Sequence, residues 1–208
     1  MTDRNGHLCG LFDGLATRVR SAELRTIGFT GAVFGEGVST LALGTSLSLA
    51  TLDPGPILLV DANWLRPSLS ADAAVTSGPG LADVLRGSAD LSDVLVTTGR
   101  PRLSFLPAGK VNGEQPPLGG LTSFLDRALA EFSTVVADLP PALAGESVVV
   151  AWAASLQQLL VVVRSGVTPV ALVRRALEDV ALERPQVVLN RTPAGNGGTT
   201  LPARVPTT

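Results

Sequence analysis

Short continuous apolar runs alternate with amphipathic segments along most of this 208-residue chain. The strongest runs cover residues 57–60, 134–137, 159–163 and 187–189, and weaker ones cover 26–30 and 103–106. Such runs are typical of parallel strands buried on both faces, because a half-exposed strand alternates apolar and polar positions. We therefore expect an α/β protein with a doubly wound, mainly parallel sheet and helices on both faces.

The segments between these runs predict helices at residues 39–50, 80–86, 92–96, 121–132 and 169–182. In the last of them Thr168 is placed to be the N-cap, and Pro169 occupies the first helical position. Proline and glycine predict a loop over residues 107–120. We divide the chain into an N-terminal helical segment (1–24), one domain (25–191) and a disordered tail (192–208) rich in Thr, Gly and Pro.

Composition limits the kinds of partner. A net charge of −2, with two Trp and no Tyr, offers neither the basic surface nor the stacking side chains of a nucleic-acid-binding protein. The longest apolar stretch, 147–163, is interrupted by Ser155 and two glutamines and is too short to span a bilayer. The N-terminus does not read as a secretory signal, and one cysteine cannot form an internal disulfide. We expect a cytoplasmic protein with no nucleic-acid partner and no direct membrane insertion.

A glycine-rich turn follows the first apolar run. Residues 31–40 read Gly-Ala-Val-Phe-Gly-Glu-Gly-Val-Ser-Thr, the pattern of a P-loop, in which backbone amides and a helix N-terminus hold phosphates and a hydroxyl holds Mg²⁺. Val38 stands where a P-loop needs lysine. The sole lysine of the sequence is Lys110, so Lys110 or an arginine would have to fold back to replace the charge. The candidate nucleotide-binding residues are Gly35, Glu36, Gly37, Val38, Ser39 and Thr40.

The glycines have a second explanation. A sharp turn from strand to helix requires residues without a Cβ atom, whether or not a ligand binds there. The loop pattern alone therefore leaves open whether this fold still uses a nucleotide.

Two aspartates follow predicted strands at their carboxyl ends. Asp61 ends the run at 57–60 and Asp138 ends the run at 134–137, so in a parallel sheet both lie at the edge where the P-loop opens. Ser39, Asp61 and Asp138 together offer the oxygen ligands that Mg²⁺ prefers. Aspartates also end strands simply to begin turns, but the convergence of three elements favours a site for a Mg-nucleotide.

Six segments in order resemble the bacterial tyrosine kinases of capsule and exopolysaccharide synthesis. They are Gly-Glu-Gly-Val-Ser-Thr at 35–40, Asp-Ala-Asn-Trp-Leu-Arg-Pro-Ser-Leu at 61–69, Gly-Leu-Ala-Asp-Val-Leu-Arg-Gly at 80–87, Leu-Pro-Ala-Gly at 106–109, Asp-Leu-Pro-Pro at 138–141 and Val-Leu-Asn-Arg at 188–191. The wider group of partition and division-site ATPases shares the P-loop and the Asp-x-Pro-Pro segment but usually lacks the Arg-Pro-Ser-Leu segment. The narrower family is thus the better match.

The resemblance implies a P-loop NTPase fold, Mg-ATP or Mg-ADP as cofactor, and specific roles for single residues. Asp61 would be the catalytic acid-base residue, and Asp138 would position Mg²⁺ and water. Asn190 would contact the adenine edge. Ser39 and Thr40 would hold the phosphates and the metal with the backbone cradle.

The chain departs from the family at several positions. Phe34 replaces the proline of the loop, Val38 its lysine, Asn63 the second acid of Asp-x-Asp-x-Arg and Leu65 its arginine. The Glu-x-x-Arg-x-x-Arg stretch with which family members assemble into rings falls here on Gly10, Asp13 and Ala16. The 208 residues contain no tyrosine, so self-phosphorylation on tyrosine is excluded for this sequence. Trp64, beside the expected site, is a candidate to fill the space of a nucleotide.

These departures favour a regulatory or scaffolding pseudo-kinase in exopolysaccharide or capsule synthesis, with weak or no ATP binding. By resemblance its partner would be the cytoplasmic part of a membrane polysaccharide co-polymerase or an active paralogue, which would also hold the protein at the membrane. One alternative is an active kinase or ATPase that acts on a partner, with an arginine or the partner supplying the missing charge. A second is a partition-type ATPase.

Overall fold

The computed structural model describes residues 11–110, 118–181 and 186–192. Within these ranges the centre is a seven-stranded sheet in the order β3-β4-β2-β5-β1-β6-β7. All neighbouring strands are parallel except β3, which runs antiparallel to β4. The strands are β1 (Thr26–Gly31), β2 (Ile57–Asp61), β3 (Val96–Thr97), β4 (Leu103–Leu106), β5 (Thr134–Asp138), β6 (Gln158–Arg164) and β7 (Gln186–Asn190).

Helices connect the strands and cover both faces of the sheet. They are α1 (Asp13–Ser21), α2 (Val38–Leu52), α3 (Ser68–Asp72), α4 (Leu81–Arg86), α5 (Leu91–Val94), α6 (Leu121–Glu131), α7 (Glu146–Ser155) and α8 (Val170–Asp179), with a 3₁₀ turn at Leu118–Gly120. None of the helices in the described ranges is long and apolar enough to cross a membrane. The expected doubly wound, mainly parallel fold is confirmed.

The strands alternate their side chains between two cores. Ile57 and Leu59 of β2 face the core formed with α1 and α2, whereas Leu58 and Val60 face the core formed with α4 to α7. All residues of β1, β2 and β5 are buried. This two-sided burial explains why the central strands read as continuous apolar runs.

Some local expectations were wrong. Thr168 is not the N-cap of α8, because Pro169 is the capping residue and its backbone is extended. The predicted helix at 92–96 ends at Val94 and leads into β3. Helix α7 lies in the apolar stretch 147–163, for which no helix was predicted. Residues 193–208 of the predicted tail (192–208) and half of the predicted loop at 107–120, namely 111–117, fall outside the described residues.

Candidate functional site

The glycine-rich turn forms at the carboxyl end of β1, as its sequence predicts. Gly35 and Gly37 both have φ near +90°, a backbone conformation that residues with a Cβ atom rarely adopt. Gly37 is also the N-cap of α2, so the free amides of the first turn of this helix point toward the mouth of the loop. The backbone half of a phosphate-binding site is therefore in place.

Val38 is the first residue of α2 and is largely buried. Its side chain is 9% exposed and packs with the core on the α1 and α2 face. One methyl carbon, Cγ2, lies 3.2 Å from where a Cβ atom on Gly31 would be. Lys110 does not compensate, since it does not line the pocket at the loop. Its carbonyl accepts a hydrogen bond from Arg86 on α4. No lysine serves this loop.

Glu36 is turned into the protein instead of toward a ligand. Its side chain is 1% exposed. One carboxylate oxygen accepts a hydrogen bond from the Val33 backbone N–H (3.1 Å) and the other from the Thr168 hydroxyl (2.8 Å). Through these two hydrogen bonds Glu36 connects the backbone of the loop to the segment between β6 and α8.

Asn190, at the end of β7, also holds the loop. Its side-chain amide donates to the Glu36 carbonyl (2.7 Å), and its side-chain oxygen accepts from the Arg191 N–H (2.8 Å). A Cβ atom on Gly37 would collide with the Asn190 amide, which gives that glycine a packing reason as well as a conformational one. The adenine contact expected of Asn190 stays a prediction, and in this structure both polar atoms of the side chain bond within the protein.

A pocket of about 230 Å³ opens at the mouth of the loop. Three segments contribute to its walls: the loop with the start of α2, the turn after β2, and the segment after β5. The lining residues are Val33, Phe34, Gly35, Gly37, Val38, Ser39, Thr40, Asn63, Arg66, Ser68, Leu139 and Pro141. A smaller pocket of about 130 Å³ lies between α2 and the turn before β4 and contains none of the predicted site residues.

Ser39, in the first turn of α2, lines the pocket. Its oxygen accepts a hydrogen bond from the Ser68 hydroxyl at 2.9 Å. This bond joins α2 to the start of α3, so the P-loop and the segment after Asp61 share one polar wall.

Asp61 and Asp138 lie at the same sheet edge, as expected, and they are also cross-strand neighbours in the register of β2 and β5. Both are fully buried. Their hydrogen bonds differ. The Asp61 oxygens accept from the Asn63 N–H (3.2 Å), the Ser70 N–H (2.9 Å) and the Ser70 hydroxyl (2.8 Å), whereas neither oxygen of Asp138 has a well-formed hydrogen bond within the described residues.

The two environments shift both acids in the same direction. Burial raises the pKa of Asp138 to about 8; the nearby Ser39 hydroxyl lowers it in part, and the charge of Asp61 raises it further. Burial also raises the pKa of Asp61, against the lowering effect of its bonds from Ser70 and Asn63. A buried carboxyl without a partner is costly unless it takes up a proton or a cation.

The residues present fit a magnesium ion in part. Ser39 and Asp138 have the oxygen chemistry that Mg²⁺ prefers, and Asp138 lacks a protein partner that would compete. Asp61, the third predicted ligand, already anchors α3 through Ser70. Within the described ranges no group of three or more His, Cys, Asp or Glu side chains is arranged to hold a metal. Ser39 and Asp138 would therefore need water and phosphate oxygens to complete the coordination of the ion.

The second motif folds as a turn. The Asn63 side-chain oxygen accepts from the Arg66 N–H at 3.2 Å, and Leu65 is 54% exposed. Trp64 donates its indole N–H to the Ala108 carbonyl at 2.9 Å and packs against the core on the α4 to α7 face. Since Trp64 does not line the pocket, the suggestion that it fills the space of a nucleotide was wrong.

Sequence reasoning missed four residues that shape the site, namely Arg66, Ser68, Ser70 and Thr168. The first three were detectable in principle, because they directly follow a strand that ends at the predicted edge. Thr168 was noticed as a helix cap, but its partner is the distant Glu36.

Comparison with known proteins agrees with this geometry. The sequence is 30% identical over 137 residues to the tyrosine-protein kinase CpsD of Streptococcus agalactiae, a match that covers 62% of this chain and 59% of CpsD. The chain thus spans about three fifths of the length of the curated relatives that it matches. No family model matches the sequence.

Solved structures share the fold. The VpsO kinase domain superposes with a TM-score of 0.77 at 23% identity, over 91% of this chain and 97% of that domain. The septum site-determining protein MinD of Pyrococcus horikoshii, solved with Mg-ADP, gives a TM-score of 0.65 at 21% identity, over 83% of this chain and 72% of MinD. The chain is thus similar in sequence to a bacterial tyrosine kinase, and it shares its P-loop fold with the VpsO kinase domain and with MinD.

Proposed function

We propose that this protein is a regulatory or scaffolding relative of the bacterial tyrosine kinases, which binds Mg-ATP or Mg-ADP weakly at most and transfers phosphoryl groups at a negligible rate. Its proposed partner is the cytoplasmic part of a membrane polysaccharide co-polymerase, or an active paralogue of its own family. Through that partner it would work in the cytoplasm at the membrane.

The observation that carries this proposal is the buried side chain of Val38. In a working P-loop this position places an ammonium group on the terminal phosphates. Loss of such a charge-assisted contact costs about 1.5–3 kcal/mol, which corresponds to roughly tenfold to hundredfold in affinity. Phosphoryl transfer suffers more, because the same charge stabilises the transition state.

The second motif supports the same proposal. Asn63 has replaced an acid and uses its side chain to close a turn, while Leu65 has replaced a guanidinium and is exposed. The carboxylate oxygens of Asp61, the expected acid-base residue, already accept hydrogen bonds from Ser70 and from the Asn63 N–H. A base that must accept a proton from a substrate hydroxyl needs a free oxygen within hydrogen-bond reach of it.

The resemblance to the co-polymerase kinases supports the choice of partner. CpsD is named as a tyrosine-protein kinase, whereas this sequence contains no tyrosine to act as its own substrate. A role on another chain is therefore more consistent with the sequence than self-phosphorylation.

Calorimetry with Mg-ADP and Mg-ATP, combined with a phosphate-release assay, tests the proposal. We expect a dissociation constant well above the micromolar range or no heat of binding, and release indistinguishable from a protein-free blank. A micromolar dissociation constant with steady turnover would overturn the regulatory assignment and favour the alternative, an active kinase or ATPase acting on a partner. Adding a tyrosine-containing peptide to the same assay separates kinase from ATPase.

A further inference from the structure

One positively charged side chain, that of Arg66, lines the pocket at the P-loop. Arg66 lines the pocket together with Ser39 and Thr40. In the described part of the chain the exposed Arg66 guanidinium forms no ion pair and donates no hydrogen bond. The Arg66 backbone, in contrast, is held by hydrogen bonds. The Arg66 N–H bonds to the Asn63 carbonyl and side chain, and the Arg66 carbonyl accepts from the Ser68 N–H at 2.7 Å.

Two acidic side chains near the pocket, Glu36 and Asp61, form hydrogen bonds with other parts of the protein. The Glu36 carboxylate bonds to Val33 and Thr168. Asp61 bonds to Ser70 and Asn63. Neither acid lines the pocket. Asn63, which does line it, is neutral where the family has an acid. Among the residues that the structure describes, Arg66 therefore shares the pocket lining with no carboxylate.

A second group points to a ligand at the same place. Asp138 is fully buried and makes no well-formed hydrogen bond within the described residues, and its carboxyl lies next to the Ser39 hydroxyl that lines the pocket. Such a group is an oxygen ligand for a divalent cation, and oligophosphates carry divalent cations. The pocket thus offers a cationic guanidinium, a helix N-terminus and an acid beside a hydroxyl.

We infer that Arg66 takes the place of the missing lysine, so that the pocket binds an oligophosphate group as its Mg²⁺ complex through Arg66, the amides at the start of α2, and Ser39. A guanidinium suits this task because its planar set of donors can bind two phosphate oxygens at once. The inference rests on the proposed function, because it explains how the loop still binds phosphates weakly although it no longer catalyses phosphoryl transfer. According to this inference the ligand is an oligophosphate, and the adenine base of a nucleotide makes no contact that binding requires.

Titration calorimetry of the full chain tests this with Mg-ADP, magnesium pyrophosphate and adenosine as three separate probes. We expect Mg-ADP and pyrophosphate to bind at millimolar to submillimolar concentration and adenosine not to bind. Arg66→Ala should weaken both phosphate ligands at least tenfold, and Arg66→Lys should recover part of the loss. Arg174→Ala, which removes an exposed arginine of α8 outside the pocket, is the matched control and should bind like wild type.

A rescue experiment separates a ligand contact from damage to the fold. Val38→Lys placed in the Arg66→Ala background should restore affinity, because either cation can serve the same phosphates. The gain from Val38→Lys should also be larger in that background than in wild type. Thermal unfolding of each variant without ligand controls for misfolding.

The outcomes distinguish this inference from the function on which it rests. Equal affinity of wild type and Arg66→Ala, absence of phosphate binding by wild type, or dependence on adenosine alone would each overturn the role of Arg66. Background phosphate release in that case would leave the regulatory assignment intact. Arg66-dependent binding with steady turnover would support Arg66 and overturn the regulatory assignment.

Discussion

Asp138 should make the protein less stable as the pH rises from about 4 to about 8, and Asp138→Asn should remove much of that effect. Burial raises the pKa of this carboxyl from its ordinary value of 3.8 to about 8. Between these values the unfolded chain has released the proton and the folded chain still holds it. The unfolded state then binds fewer protons, so the free energy of unfolding falls with increasing pH.

The magnitude follows from the two pKa values. Each pH unit between them costs about 1.4 kcal/mol for one proton, so the folded state at pH 7 is less stable by about 4 kcal/mol than it would be with an unshifted carboxyl. Asparagine has nearly the shape of a protonated aspartate but cannot ionise. Asp138→Asn should therefore match wild type near pH 4 and exceed it by up to about 4 kcal/mol at pH 7.

Urea unfolding at pH 5, 6, 7 and 8, in buffer with a chelator, measures this difference. Asp61, whose pKa burial also raises, will leave some pH dependence in the variant. Asp126→Asn, which changes an exposed aspartate of α6, controls for the loss of a surface charge. Parallel stability curves for wild type and Asp138→Asn across this pH range would refute the reasoning.

Three further predictions concern the loop and the assembly. Val38→Lys should raise the affinity for Mg-ADP about tenfold by calorimetry, whereas the uncharged Val38→Met should not; an equal gain from both variants would show that side-chain length matters and charge does not. Thr168→Val should lower the free energy of unfolding by about 1–3 kcal/mol, because it leaves a buried Glu36 oxygen without its donor; Thr122→Val on the surface of α6 is the control, and equal losses would contradict the role of this bond. Light scattering should show a monomer or dimer, because Ala16 is buried in the protein's own core where the family places a charged ring contact; a closed ring with residues 11–20 in its interface would refute this.

The sequence predicted the features that depend on local pattern. The runs at 57–60 and 134–137 appear as β2 and β5, each one residue longer at its carboxyl end, where the aspartate continues the strand. Because parallel strands end at one edge, the placement of Asp61 and Asp138 at the same edge could be predicted without knowing the strand order, whereas their direct pairing depends on β2 and β5 being neighbours. The positive φ values at Gly35 and Gly37 likewise follow from the loop pattern.

What the sequence did not predict depends on contacts between distant segments. Glu36 looked like a residue facing a ligand, and only its bond to Thr168, 132 positions away, shows that it faces inward. The direction of the Trp64 side chain likewise depends on a distant contact, because its indole N–H donates to the carbonyl of Ala108 after β4. Arg66 could not be selected among fifteen arginines until the turn closed by Asn63 placed it beside Ser39.

The loop keeps its shape through bonds that involve no ligand. Glu36, Thr168 and Asn190 hold it from the protein side, and Gly37 is required by its φ value and by the Asn190 amide. Retention of the glycines therefore does not by itself indicate nucleotide binding, since the same residues would be needed in a loop that binds nothing. Two other groups are more informative, because in the part of the chain that the structure describes the Arg66 guanidinium forms no ion pair and the Asp138 carboxyl makes no well-formed hydrogen bond, so neither supports the turn. A ligand that carries both phosphate and a divalent cation would satisfy the two together, and so the phosphate-binding experiments should be centred on them.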